Sequence, residues 1–204
     1  MIKYLLLPVV LCTAAGHLRA QNMDVDILKS INANGEFSGY WKTTTNSIFK
    51  VSAAVPLGIM IAGGLTGEKD MIKKGIRIGE TVIVNALVTE MLKRTATRDR
   101  PSTTWNGVIK AYKPGNDQKS LPSGHTSAAF SLATATSLEF NKWYVTIPAF
   151  AYAGSIAYSR MYLGAHYPSD VLAGAAVGTG TAILMHWANK KLFHREKKAL
   201  VATP

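Results

Sequence analysis

Five stretches of the chain are apolar over helix-length distances, and none shows the period-two alternation of a half-buried strand. Residues 51–65 are apolar except Ser52 and include Pro56 and three glycines. Residues 76–92 are an apolar run with Glu80, Asn85 and Glu90 spaced through it, the pattern of a helix with one polar side. Residues 126–140 are rich in Ala, Ser and Thr, and residues 143–158 are apolar and aromatic. Residues 171–188 are small and apolar, a composition that lets helix backbones approach closely. Between these runs lie a mixed, polar segment over 21–50 broken at Asn32, Asn34 and Gly35-Glu36, a turn at Gly67 to Asp70, a long basic loop over 94–121 and a basic tail over 190–198. The pattern predicts an all-α fold, one bundle of about five to six helices over residues 21–204.

The first 20 residues read differently. Lys3 precedes an apolar run from Tyr4 to Ala15, too short for a comfortable span but suited to the core of an export signal. Leu18-Arg19-Ala20 supplies a cleavage site before Gln21, and the alternative is an uncleaved anchor. Cys12 is the sole cysteine of the 204 residues, so a disulfide framework and a cysteine-based zinc site are both excluded. Lys and Arg number 23 against 12 Asp and Glu, a formal charge of +11, which calls for anionic partners. If the five runs alternate across a membrane, Lys69, Lys73, Lys74, Arg77, Lys142 and the basic tail share one side. The positive-inside rule makes that side cytoplasmic and turns the opposite ends of the helices outward. The rival is a soluble exported domain, since each run is at or below the roughly 17–25 residues of a spanning helix. Glu80 and Glu90 suit lipid poorly unless they face the bundle interior. In the long loop, Trp105, Val108, Ile109 and Tyr112 alternate with lysines, which fits either contact with anionic lipid or a self-packed loop.

Three blocks carry the candidate chemistry. The first runs from Lys93 to Arg100-Pro101, the second is Pro122-Ser123-Gly124-His125, and the third is Ser159-Arg160, five residues, His166, three residues, Asp170. Lys93, Arg100 and Arg160 can neutralise phosphate oxygens, the arginines through planar forks and the lysine as a point charge. Ser123-Gly124 at a helix start offers free backbone N–H groups to an anion. Asp170 sits where it can accept the Nδ1 proton of His166 and aim Nε2 outward. Singly, each piece is as readily a solvated face, a helix cap or a surface histidine. His186 and His194 match no block, and Arg94, Arg98 and Asp99 only flank the first.

In this order and spacing the three blocks resemble the signature of the type 2 phosphatidic acid phosphatase (PAP2) superfamily, which also contains class A acid phosphatases and vanadium haloperoxidases. Every defining position is matched between Lys93 and Asp170. The resemblance implies a helical bundle and a phosphatase in which His166 attacks phosphorus to form a phosphohistidine, Asp170 orients it, and His125 protonates the leaving oxygen. It implies that Lys93, Arg100, Ser123, Gly124 and Arg160 hold the phosphate, that no metal or cofactor is required, and that vanadate inhibits. The expected substrate is a lipid phosphate, such as phosphatidic acid, phosphatidylglycerol phosphate, undecaprenyl diphosphate or a lipid A phosphate, met at the outer face of the inner membrane. The alternatives are a soluble periplasmic acid phosphatase taking small phosphomonoesters and a vanadium-dependent haloperoxidase. A nucleic-acid partner is excluded by the export signal, the apolar helices and the absence of any nucleic-acid motif.

Overall fold

The structure, a computed structural model, describes residues 23–114 and 119–202, with side chains as far as Lys191. The export signal assigned to residues 1–20 and the side chains of His194, Arg195, Lys197 and Lys198 lie outside the described residues. Among the described residues seven helices follow in order: α1 over residues 23–31, α2 Gly39–Thr66, α3 Lys69–Thr95, α4 Pro101–Thr104, α5 Gly124–Phe140, α6 Trp143–Tyr162 and α7 Pro168–Ala202. Among the described residues the sole β-type pairing is an isolated bridge between Arg98 and Lys119.

Most helices outrun their apolar signal. The predicted run over 51–65 starts at Gly39, where Ser38 caps the helix by accepting the Tyr40 N–H at 3.3 Å. Thr43 to Asn46 had masked this first part, because they are polar. Thr45 is nevertheless buried against the bundle. The basic tail over 190–198 is likewise helical and continues α7. Among the described residues two helices, α2 and residues Pro168–Lys191 of α7, are long and apolar enough by length and composition to cross a membrane. Glu80 is exposed on α3, in register with Ile76, Ile83 and Leu87, and does not face the bundle interior.

α5 is the central helix. Its small residues are apolar or hydroxylated all round, and it packs against α2, α3, α6 and α7. One core forms around Ile48, Ala129, Ala153 and Ile156 between α2, α5 and α6, and a second around Ile78, Leu132, Ala135 and Ala182 between α3, α5 and α7. Two α7 glycines set the closest approach: a Cβ on Gly174 would collide with the carbonyl oxygen of Ser123, just before α5, and one on Gly178 with that of Ser127 within it. Outside the bundle the apolar surface is exposed, including Leu57 and Ile61 on α2, Leu87 on α3, Ile147 on α6 and Leu184 on α7. Ile109 of the long loop is buried with Val25 and Leu28 of α1 and Tyr167, so this part of the loop is self-packed.

The alternating helices sort their ends. At one end Arg77 of α3 donates from Nε to Glu139 of α5 at 2.9 Å, and His186 of α7 lies 3.4 Å from the same carboxylate. The three sequence blocks gather at the other end, on the last turns of α3 and α6, the first turns of α5 and α7, and the loops between them.

Candidate active site

A cavity of about 400 Å³ opens at that end, and Lys93, Arg100, Gly124, His125, Arg160 and His166 all line it. They arrive on five separate pieces of backbone. Lys93 is in the last turn of α3 and donates from Nζ to the Lys119 carbonyl at 2.8 Å. Arg100 precedes α4 and donates from Nη1 to the Ala165 carbonyl at 3.3 Å. Arg160 is in the last turn of α6, where its Nη1 donates to Thr45 Oγ1 of α2 at 2.9 Å. Its Nε is buried without a hydrogen-bond partner. Gly124 and His125 open α5, whose unpaired N–H groups and dipole favour an anion there. Phe49 of α2 meets the His125 ring edge to face, with centroids 4.8 Å apart.

Ser123 and Asp170 do not line the cavity; both are fully buried behind it. Ser123 Oγ accepts from Thr126 Oγ1 at 3.0 Å, and its N–H donates to the Asp170 carbonyl at 2.9 Å, which ties the start of α5 to the start of α7. The Asp170 carboxylate lies 3.6 Å from His166 Nδ1, beyond hydrogen-bond reach, and this buried Nδ1 has no partner. The direct bond expected between them is therefore not formed. Oδ2 of Asp170 is taken by Ser120 Oγ at 2.6 Å and the Tyr167 N–H at 3.0 Å, and Oδ1 by Arg98 Nη1 at 2.7 Å. Burial is the main reason the His166 pKa falls to about 4; Arg160 and Arg100 lower it further, while Asp170 opposes them. Its imidazole is thus neutral, the nucleophilic form, at pH 7.

Several lining residues carried no motif. Asn85, Ala86, Thr89 and Glu90 line the cavity from α3, at the helical spacings i−8, i−7, i−4 and i−3 from Lys93, so the face was readable once Lys93 was placed. Phe49 and Lys119 join it through tertiary contacts alone. Glu90 pairs with Arg94 at 3.0 Å. Ser159 serves the helix: it is fully buried and donates to the Ile156 carbonyl at 2.6 Å. Among the described residues no group of three or more His, Cys, Asp or Glu side chains is placed to hold a metal.

A family model for the PAP2 superfamily matches residues 74–193, from α3 into α7, and covers all three blocks. The chain belongs to the PAP2 superfamily. Among curated proteins, it is 33% identical over 107 residues to the lipid A 1-phosphatase of Rhizobium johnstonii, covering 51% of this chain and 43% of that protein. It is 30% identical over 118 residues to the undecaprenyl-diphosphatase of Sulfolobus acidocaldarius, covering 55% of each. The chain spans about half the length of these relatives. The crystal structure of Aquifex aeolicus LpxE superposes with a TM-score of 0.62 at 26% identity over 79% of this chain and 93% of that one. The transmembrane PAP2-type phosphatidylglycerolphosphate phosphatase of Bacillus subtilis gives 0.65 at 23% identity over 85% and 87%, a likeness of fold.

Proposed function

We propose that this PAP2 protein is a metal-independent, membrane-embedded phosphatase that hydrolyses a lipid phosphate monoester or diphosphate through a phosphohistidine on His166. The observation that carries the reading is the convergence of two histidines and three cations on one cavity at the end of a bundle with an exposed apolar exterior. Lipid A and undecaprenyl diphosphate, named in the relatives, are the substrate classes this chemistry fits. In the first step His166 Nε2 attacks phosphorus, the bond to the leaving oxygen breaks, and His125, entering as its imidazolium, gives that oxygen a proton. Burial, and after it the Arg160 charge, hold the His125 pKa well below its ordinary value, so the negative charge of the bound phosphate is what keeps that proton on the ring. In the second, water attacks phosphorus, its proton passes to His125, and the P–N bond breaks to restore neutral His166. Lys93, Arg100, Arg160 and the Gly124 N–H stabilise the charge that develops on the equatorial oxygens. The cavity faces the extracytoplasmic side; Lys69, Lys73, Lys74 and Lys142 at the opposite end support this orientation.

The testing experiment is phosphate release by the detergent-extracted protein from phosphatidic acid, a lipid A phosphate, undecaprenyl diphosphate and an aryl phosphate, each with and without EDTA. Turnover of a lipid substrate that persists in EDTA is expected. Activity that vanishes with EDTA and returns with Mg²⁺ refutes the mechanism, and release of the protein from cells by osmotic shock refutes the membrane reading.

The proton donor gives a separate prediction. His125→Ala should lower the rate on alkyl phosphates by about two to four powers of ten, the usual worth of a general acid, and far less on an activated aryl phosphate. An equal loss on both substrates would make His125 a phosphate binder instead.

A further inference from the structure

A line of charges runs up behind the nucleophile from Asp24 through Arg98 to Asp170. Arg98, in the loop between α3 and α4, donates from Nη1 to Asp170 Oδ1 and to Ser169 Oγ, each at 2.7 Å, and from Nη2 to Asp24 Oδ2 of α1 at 2.8 Å. Asp24 also accepts the Ser169 N–H at 2.9 Å and the Ser169 hydroxyl. The Arg98 guanidinium lies 4.1 Å over the Tyr167 ring. Both carboxylates are buried, Asp170 at 0% exposure and Asp24 at 8%. Burial works against the Arg98 charge, but Asp170 and Asp24 outweigh it and raise its pKa above the ordinary value.

We propose that Arg98 and Asp24 are positioning residues for His166: Arg98 fixes Asp170 and shares its negative charge, and Asp24 holds Arg98 from α1. The proposal rests on the phosphohistidine reading and goes beyond it, because neither residue is a defining position of a block and neither lines the cavity. A carboxylate given wholly to His166 would raise the imidazole pKa and so favour the doubly protonated ring, which has no free Nε2 lone pair. Shared with Arg98, Asp170 is fixed 3.6 Å from His166 Nδ1 and still offers counter-charge when the imidazole becomes cationic on attack. The groups facing His166 are Asp170 from α7, Arg160 from α6, His125 from α5, Lys93 from α3, and Arg100 before α4. Arg98 and Asp24 act through Asp170 alone.

A purely structural clasp for α1 would use the same hydrogen bonds, so the test reads charge. In detergent micelles, kcat/KM of the full chain on one aryl phosphate is followed against pH for the wild type, Arg98→Gln and Asp24→Asn. Loss of Arg98 leaves Asp170 uncompensated, which favours protonated His166, so the acid limb should move up by about one pH unit. Loss of Asp24 frees the Arg98 charge, so the limb should move down by about half a unit, with KM little changed in both variants. Opposed shifts support the relay. Limbs that stay at the wild-type position, or move together, overturn it. Should Arg98→Gln fail to fold, Asp24→Asn decides alone: a downward shift supports the relay and an unmoved limb overturns it. A wild type without turnover would overturn the phosphatase reading and the relay with it, whereas turnover with unmoved limbs overturns the relay only.

Discussion

Replacing His166 with alanine should reduce turnover by about four powers of ten or more, since removal of a covalent nucleophile takes the whole two-step route with it. The fold should survive. His166 lies in the loop between α6 and α7, its Nδ1 is not hydrogen-bonded, and its ring borders the cavity and belongs to none of the apolar clusters, so truncation enlarges that cavity and leaves the core packing in place. Circular dichroism should be unchanged while phosphate release disappears. A phosphoenzyme trapped in the wild type at neutral pH should carry its label on His166 and not on His125. The acid limb of kcat/KM adds a sign. Because the His166 pKa is depressed to about 4, the neutral nucleophile persists as pH falls through 6.5 and is lost only near 4. A variant that keeps a tenth of the wild-type rate would remove His166 from the chemistry.

The sequence made the cavity legible through residue type and order, because phosphate chemistry needs cations, a helix start and an imidazole, and these stand in short blocks. It made the helices legible through apolar runs but lost their ends where polar residues face the bundle interior, as at Thr45, or where a basic helix leaves it, as in the last turns of α7. What it could not carry is partner choice. Arg98 and Arg100 are two residues apart in one basic loop, yet one points back to Asp24 and Asp170 while the other lines the cavity. Glu90 has cations at both i+3 and i+4, and its 3.0 Å contact with Arg94 is one of two pairings that the spacing alone allows. Thr45 reaches Arg160 across 115 residues, a contact that no local pattern encodes. The spacing from His166 to Asp170 suggested a direct bond, but the backbone turn at Tyr167 and Ser120 claim the carboxylate oxygen first.

Arg160→Lys should lower kcat/KM by about two to three powers of ten, although it keeps the charge. The structure gives two reasons. The guanidinium is held by Thr45 at Nη1, leaving its buried Nε without a protein partner, beside the cavity. A phosphate oxygen would satisfy that group, and one face of the fork can then grip an equatorial oxygen with no further rotation. An ammonium is a point charge that cannot hold Thr45 and an oxygen in the same geometry. Because this contact tightens as the equatorial oxygens spread, its loss should fall mainly on kcat, with KM moving less. Vanadate checks the assignment independently. As a five-coordinate adduct on His166 it would mimic the transition state, so its inhibition constant should rise in Arg160→Lys in proportion to the loss in kcat/KM. Thr45→Val, which removes the anchor and keeps the arginine, should lie between the wild type and Arg160→Lys on the same line. A lysine variant with near-normal turnover, or one equally sensitive to vanadate, would show that Arg160 supplies charge alone and that its fork does not read the transition state.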